Sequence, residues 1–227
     1  MIVYITRHGQ IVPPDRKEGL ALPAMDMPLS PLGRHQAQRV GERLKAMGFG
    51  GVVYASPFRR ASETAHLISE VVGTSFYPET ALREIVHVPE EYVGFDGLSL
   101  DQLREAFPTV ATDATLRHPW WTTHLETDPL VLSRVRPFLE RLVAANEEDA
   151  LLVGHGASMN ACIRFFLETR FPDLLPSAEP GWNCALTAIR VKPSVEPLML
   201  GDTAHLKADQ ITSNAETRLG WQRELEA

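Results

Sequence analysis

Two histidines stand where buried strands are expected to end. The β-branched and aromatic run Ile2-Val3-Tyr4-Ile5 stops at Arg7-His8-Gly9, and Ala150-Leu151-Leu152-Val153 stops at Gly154-His155-Gly156. Imidazole is a competent nucleophile near neutral pH, and a second imidazole held protonated by a bound anion stabilises negative charge, so the two rings could divide those roles. One strand-end histidine alone reads as a polar residue satisfying itself at the surface. What raises chemistry is the pair, with Arg7 beside one ring and glycines on both sides of the other that allow a ligand close to the backbone.

A third segment, Ser56-Pro57-Phe58-Arg59-Arg60, follows the short apolar run Gly51-Val52-Val53-Tyr54. Ser-Pro reads as an N-cap with proline in the first turn, opening a helix to about Val72. On that helix Arg59 shares a face with Glu63, His66 and Glu70, and is expected to pair with Glu63 in solvent. Arg60 shares its face with Thr64 and Leu67 and is flanked by Ala61, Ala65 and Ile68, so it turns inward at the helix N-terminus. A charge there is costly without a partner, and the positive end of the helix macrodipole adds to its field, which makes Arg60 the better anion ligand.

The elements between these segments alternate. Residues 10–28 hold four prolines and no period and read as a loop; Ser30-Pro31 opens a helix with Ala37, Val40, Leu44 and Met47 at helical spacing. Phe76-Tyr77 and Ala81-Leu82 are short extended candidates. From Ile85 to about Asp128 the pattern weakens around one possible helix, Leu100 to Phe107, and reads as an insertion. Helices are expected again at Val131–Leu142 and Ala157 to about Glu168, with later strands at Ala185–Val191 and Pro197–Leu200. Such alternation implies a three-layer α/β/α sandwich with a mostly parallel central sheet. Ligands of such folds sit outside the carboxyl ends of strands. Arg7-His8-Gly9, Ser56 and Gly154-His155-Gly156 all fall at that edge.

With 227 residues, 44% hydrophobic and 22% charged, one large domain, or one with an inserted subdomain, is the expected size. No apolar run reaches the roughly 18 residues needed to cross a bilayer, and the first residues carry no leader pattern, so no membrane and a cytoplasmic location are expected. A formal net charge of -7 argues against general nucleic-acid binding but permits an anionic substrate if cationic groups gather locally. Of the 22 basic residues, 18 are arginine, whose planar fork matches phosphate. Cys162 and Cys184 are too few for a thiolate zinc site or a disulfide framework and read as buried free thiols. His35, His66, His87, His118 and His124 show no metal-ligand spacing.

Together, Arg7-His8-Gly9, Ser56-Pro57-Phe58-Arg59-Arg60-Ala61-Ser62-Glu63-Thr64-Ala65, Leu82-Arg83-Glu84 and Val153-Gly154-His155-Gly156 resemble the histidine phosphatase superfamily, also called phosphoglycerate mutase-like. Leu29-Ser30-Pro31-Leu32-Gly33 and Asp202-Thr203-Ala204-His205-Leu206 agree too, in family order. The resemblance implies a single domain over residues 1–227 with a cap insertion at about 85–128. It implies that His8 attacks phosphorus and becomes phosphohistidine, that Arg7 and Arg60 clamp the phosphoryl oxygens, and that His155 completes the pocket as a hydrogen-bond donor. Glu84, otherwise an ordinary loop carboxylate, is similar to the family's general acid. Ser56, Gly9 and Gly156 would support the pocket from behind, Ser56 by orienting a histidine besides capping its helix. No metal or other cofactor is expected, because two guanidiniums and an imidazolium can neutralise a monoester dianion.

The sequence departs from phosphoglycerate mutases after Arg-His-Gly: Gln10, Ile11, Pro13 and Pro14 replace the Glu, small hydroxyl residue and Trp-Asn that hold the non-transferred end of phosphoglycerate. A metal-independent phosphomonoesterase of the histidine acid phosphatase type, acting on a small phosphorylated substrate, is therefore expected. The alternatives are a mutase-like phosphotransferase and a non-catalytic phosphate-binding or interaction module. Retention of both histidines, both arginines and Glu84 speaks against the last. Tyr92, Trp120 and Trp121 in the insertion either set substrate choice or form a satellite core under a long loop. The substrate and oligomeric state are not written in the sequence.

Overall fold

The computed structural model describes residues 1–12, 26–145, 148–175 and 181–213. Its elements follow in the order β1 (Ile2–Arg7), α1 (Pro31–Ala46), β2 (Val52–Ala55), α2 (Arg59–Val72), β3 (Phe76–Pro78), α3 (Leu100–Ala106), α4 (Asp128–Ala145), β4 (Ala150–Gly154), α5 (Gly156–Leu167), β5 (Leu186–Arg190) and β6 (Glu196–Asp202). One sheet of six strands runs β3-β2-β4-β1-β5-β6. The first four strands are mutually parallel, and β5 and β6 join antiparallel at the β1 side.

The period-two alternation of each central strand feeds two cores. Val3 and Ile5 of β1, with Ala150 and Leu152 of β4, pack under α4 and α5. Tyr4, Leu151 and Val153 point the other way, into a core closed by α1, α2 and α3. These strands are apolar throughout because both faces are covered, and the result is the three-layer α/β/α arrangement that the alternation predicts.

Local signals act as expected at α1. The Ser30 hydroxyl accepts the Gly33 N–H at 3.0 Å, and Pro31 fills the first helical position. At α2 the same dipeptide fails: the helix begins at Arg59, two residues later, with Phe58 and not Ser56 at its cap position. The Ser56 hydroxyl lies 2.8 Å from His155 Nε2 instead, and the Arg59 N–H at the head of the helix is taken by the Asp26 carboxylate. Ala81-Leu82, expected as extended, lie in a 3-10 turn over Thr80–Leu82 that is capped by the Glu79 side chain.

The stretch 85–128 divides in two. Leu103, Phe107, Val110, Ala111 and Ala114 join the main core, and Phe76 of β3 exchanges backbone hydrogen bonds with Thr109 and Ala111. Its Tyr92, Phe95 and Trp120, with Val86, build a smaller cluster around Phe58, which precedes α2. Of the expected loop at 10–28, residues 13–25 lie outside the described residues, as does most of the C-terminal polar stretch.

The loop after β1 and the first turn of α1 meet backbone to backbone. A Cβ on Gly9 would lie 2.4 Å from the Gly33 carbonyl oxygen, and one on Gly33 would lie 2.0 Å from that of Gln10. No flexible side chain can yield there, so both glycines are required by packing. Gly33→Ala is expected to lower the unfolding free energy by about 1–3 kcal/mol in urea titrations. Gly50→Ala, whose added Cβ would meet nothing within 4 Å, is the control; equal midpoints for the two variants would overturn this account.

Candidate active site

Adjacency of β2, β4 and β1 brings the three sequence segments to one place. At the carboxyl edge the ladder runs on beyond the strands: the His8 N–H donates to the Gly154 carbonyl at 2.9 Å and the Ser56 N–H to that of Val153 at 2.9 Å. His8, His155 and Ser56 thereby leave the sheet side by side. The two imidazole centroids are 5.2 Å apart.

His8 is buried, and its Nδ1 lies 2.7 Å from the Gly9 carbonyl oxygen. A carbonyl only accepts, so Nδ1 carries the proton and Nε2 keeps its lone pair. Arg60 Nε donates to that Nε2 at 3.3 Å. Burial, then the charges of Arg60 and Arg7, hold the His8 pKa well below 6.5, against a weaker upward pull from its bond to Gly9. The ring is neutral at neutral pH.

The segment carrying His8 is fixed on three sides. Asn183 Nδ2 donates to the His8 carbonyl at 2.9 Å, and the Gly9 N–H donates to Thr64 Oγ1 at 3.1 Å. Gln36 Oε1 accepts the Gln10 N–H at 2.8 Å. Thr64 was within reach of sequence reasoning, since it lies one helical turn from Arg60 on the same face. Asn183 and Gln36 gave no local signal.

Arg7, at the end of β1, is 6% exposed and donates through Nη1 to the Gly181 carbonyl at 3.1 Å, while its Nε is buried without a hydrogen-bond partner. Arg60 turns inward as its helical phase predicts, lies 4.7 Å over the Phe58 ring, and places Nη2 3.7 Å from Glu84 Oε2. Arg59 is exposed. The expected Arg59–Glu63 pair does not form: Glu63 is buried, where it accepts the Leu29 N–H at 2.9 Å and Arg34 Nε at 2.6 Å. Burial pushes the Asp26 carboxyl up to about 6, against the opposing charge of Arg60 and the Arg59 N–H.

His155, fully buried between β4 and α5, is held at Nε2 by Ser56. Its Nδ1 has no hydrogen-bond partner and faces Glu84 Oε2 at 3.5 Å. Burial first, then Arg60, His8 and Arg7, hold its pKa well below 6.5 as well. A Cβ on Gly154 would lie 2.5 Å from Met159 Cε, the movable end of a flexible side chain, and one on Gly156 would enter open space. Glu84 itself lies on the loop after the 3-10 turn, with its side chain 23% exposed and Oε1 accepting the Ile85 N–H at 3.0 Å. His205 is spent structurally, its Nε2 2.9 Å from the Cys184 carbonyl oxygen. Both thiols are buried, with Cys162 pushed up to about 12.

The aromatic cluster reaches this site through Phe58, whose ring meets His155 edge-on at 5.2 Å and Trp120 at 4.9 Å. Trp120 and Tyr92 are buried within the cluster, and Trp121 is half-buried. Among the described residues no three His, Cys, Asp or Glu side chains gather as metal ligands. No described helix is long and apolar enough to cross a membrane.

A buried neutral imidazole, two guanidiniums, a second imidazole and a carboxylate thus gather at the carboxyl edge of the parallel strands. The family model of the histidine phosphatase superfamily (branch 1) matches residues 3–199, and the chain belongs to that family. It is similar to the mitochondrial serine/threonine-protein phosphatase PGAM5 of Mus musculus, 27% identical over an alignment of 224 positions that covers 92% of this chain and 65% of the relative, so it spans just under two thirds of that protein. Among solved structures it resembles the ecdysone phosphate phosphatase of Bombix mori in complex with tungstate, with a TM-score of 0.70 at 22% identity over 91% of this chain and 95% of that one. Bacillus stearothermophilus YhfR gives a TM-score of 0.63 at 25% identity, covering 91% and 99% of the two chains.

The two depressed imidazoles have a measurable consequence for stability. Unfolded histidines titrate near 6.5 and the folded ones well below it, so between those values the unfolded chain binds more protons and stability is lost as the pH falls. Asp26 works the other way between about 6 and 3.8, where the folded chain binds more. From pH 6.5 to 5, His8→Asn is expected to reduce the loss of unfolding free energy by up to about 1.4 kcal/mol per pH unit, and Asp26→Asn to steepen it. Urea titrations across that range check both signs.

Proposed function

We propose that this protein hydrolyses phosphate monoesters in two steps through a phosphohistidine on His8. The observation that carries the reading is the His8 tautomer. A neutral ring with its proton spent on the Gly9 carbonyl turns its Nε2 lone pair toward the Arg60 guanidinium, with the buried Arg7 at the end of the same strand. Arg7 Nε and His155 Nδ1, both buried and without hydrogen-bond partners, are the groups that phosphoryl oxygens would satisfy.

In the first step Nε2 attacks phosphorus, the P–N bond forms, the ester P–O bond breaks, and Glu84 gives its proton to the leaving alkoxide. In the second, water attacks the phosphohistidine while the Glu84 carboxylate takes its proton; the P–N bond breaks and inorganic phosphate leaves. Arg7 and Arg60 neutralise the equatorial oxygens, and an anion among them reverses the field on His155, so that this ring can take up a proton and donate through Nδ1. No step calls for a metal ion. Ser56 keeps His155 turned toward the site.

Hydrolysis is favoured over mutase-type transfer by Gln10. Its amide oxygen accepts the Ser30 hydroxyl at 2.7 Å, which commits it to the head of α1 and not to the far end of a substrate. Ile11 pairs with Leu29 in an isolated bridge, and Pro13 and Pro14 lie outside the described residues. The similarity to a serine/threonine-protein phosphatase supports phosphatase chemistry, and we propose a small phosphorylated molecule as the substrate. Two buried free thiols suit a reducing cytoplasm.

His8→Ala is expected to abolish both turnover of p-nitrophenyl phosphate and labelling of the protein by a phosphoryl donor, with the far-ultraviolet circular dichroism unchanged. Wild-type turnover in that variant would reject the mechanism. The wild-type rate should persist in excess EDTA and fall with vanadate.

Glu84→Gln is expected to slow phenyl phosphate by on the order of 100-fold and p-nitrophenyl phosphate far less, because the latter's leaving group barely needs a proton. Equal slowing of both esters removes Glu84 from the acid role.

A further inference from the structure

Glu84 sits on a loop, where its carboxyl can be aimed only as well as the backbone around it is fixed. That backbone is held from outside the site by two side chains for which the mechanism has no use. Glu126, 8% exposed, accepts Arg83 Nη2 at 2.7 Å and Arg134 Nε at 3.0 Å on one oxygen, and the Val86 N–H at 3.4 Å on the other. Its own N–H donates to the Val86 carbonyl at 2.9 Å. Arg134, reaching in from α4, donates through Nη1 to the carbonyls of Ala81 at 2.6 Å and Arg83 at 3.2 Å. The Leu82 carbonyl between them accepts the Ser158 hydroxyl at 2.9 Å. Residues 81, 82, 83 and 86 are each tied by a named polar group, and Glu84 is in the middle.

The cluster is expensive for a mere packing device. Two guanidiniums share one carboxylate, so a positive charge is left over in a buried place, and burial lowers both arginines, Arg83 to about 10. Apolar side chains of similar volume would fill such a space at no electrostatic cost. What they cannot do is donate to carbonyls on both sides of a peptide and accept an N–H beyond it.

We propose that Glu126 and Arg134 are positioning residues for the acid step: as a unit they clamp the 81–86 loop so that Glu84 Oε2 faces the pocket beside Arg60 and His155. This rests on Glu84 being the proton donor. The effect of either residue must therefore pass through Glu84 and grow as the leaving group becomes poorer.

The test is kcat for a series of aryl phosphates, from p-nitrophenyl to phenyl, in the wild-type full chain, Glu84→Gln, Arg134→Met and the double variant. Arg134→Met is expected to lower phenyl phosphate turnover by about 10- to 100-fold and p-nitrophenyl phosphate by less than about threefold, and to add nothing further in the Glu84→Gln background. Equal loss across the series, or losses that multiply in the double variant, would overturn the proposal. Glu84→Gln alone tests the underlying reading: if that variant slows every ester of the series equally, the acid role fails and the proposal falls with it. Should Arg134→Met not fold, Arg134→Lys keeps a charge near Glu126 but cannot span both partners. A folded Arg134→Lys protein with the wild-type leaving-group dependence also overturns the proposal, and a steeper dependence upholds it.

Discussion

Two guanidiniums are kept within reach of an unprotonated imidazole in a place nearly closed to water, and most of the structure around the site follows from the cost of that arrangement. Neither Arg7 nor Arg60 can be neutralised by ordinary means without filling the space an anion needs, so each is paired only in part: Arg7 with one backbone carbonyl, Arg60 with a distant carboxylate and the face of Phe58. Their field, added to burial, keeps both histidines neutral. The same field would hold a dianion. Under the proposed mechanism, substrate affinity and nucleophile activation are two outcomes of one unbalanced charge.

Such a site has to be supported by the fold. Parallel pairing of β2, β4 and β1 aligns their carboxyl ends, and the ladder bonds at His8 and Ser56 extend that order into the loops themselves. Behind the first ring of residues stands another set with a purely geometric task. Thr64, Asn183 and Gln36 fix the backbone of His8 to Gln10, Ser56 fixes His155, and Asp26 heads the helix that carries Arg60. The aromatic cluster under residues 85–128 belongs to this support too, through the contact of Phe58 with His155.

Where sequence reasoning held, the deciding physics was local. Ser30 caps α1 because its hydroxyl needs to reach only three residues along. Arg60 and Arg59 part company because helical phase alone separates an inward from an outward face. Where it failed, a distant partner competed. Ser56 carries the same Ser-Pro signal as Ser30, yet its hydroxyl goes to a ring 99 residues away. Glu63 left Arg59 for Arg34 because α1 packs against α2 and buries that face. Glu126 and Arg134 gave no sign of their connection to Glu84, since neither shares an element with it.

By itself the sequence determined the alternation of strands and helices, the apolar character of the central strands, and which chemical groups stand at strand ends, because each of these depends on residues a few positions apart. Only the tertiary structure decided that β4 would lie between β2 and β1, that β5 and β6 would close the sheet antiparallel, and which proton each histidine keeps. The place of β4 depends on partners 98 and 147 residues away in the chain (Val52 and Val3 with Ala150), and the charge of the histidines on the burial that this packing creates. Neither has a local signature in an amino-acid string.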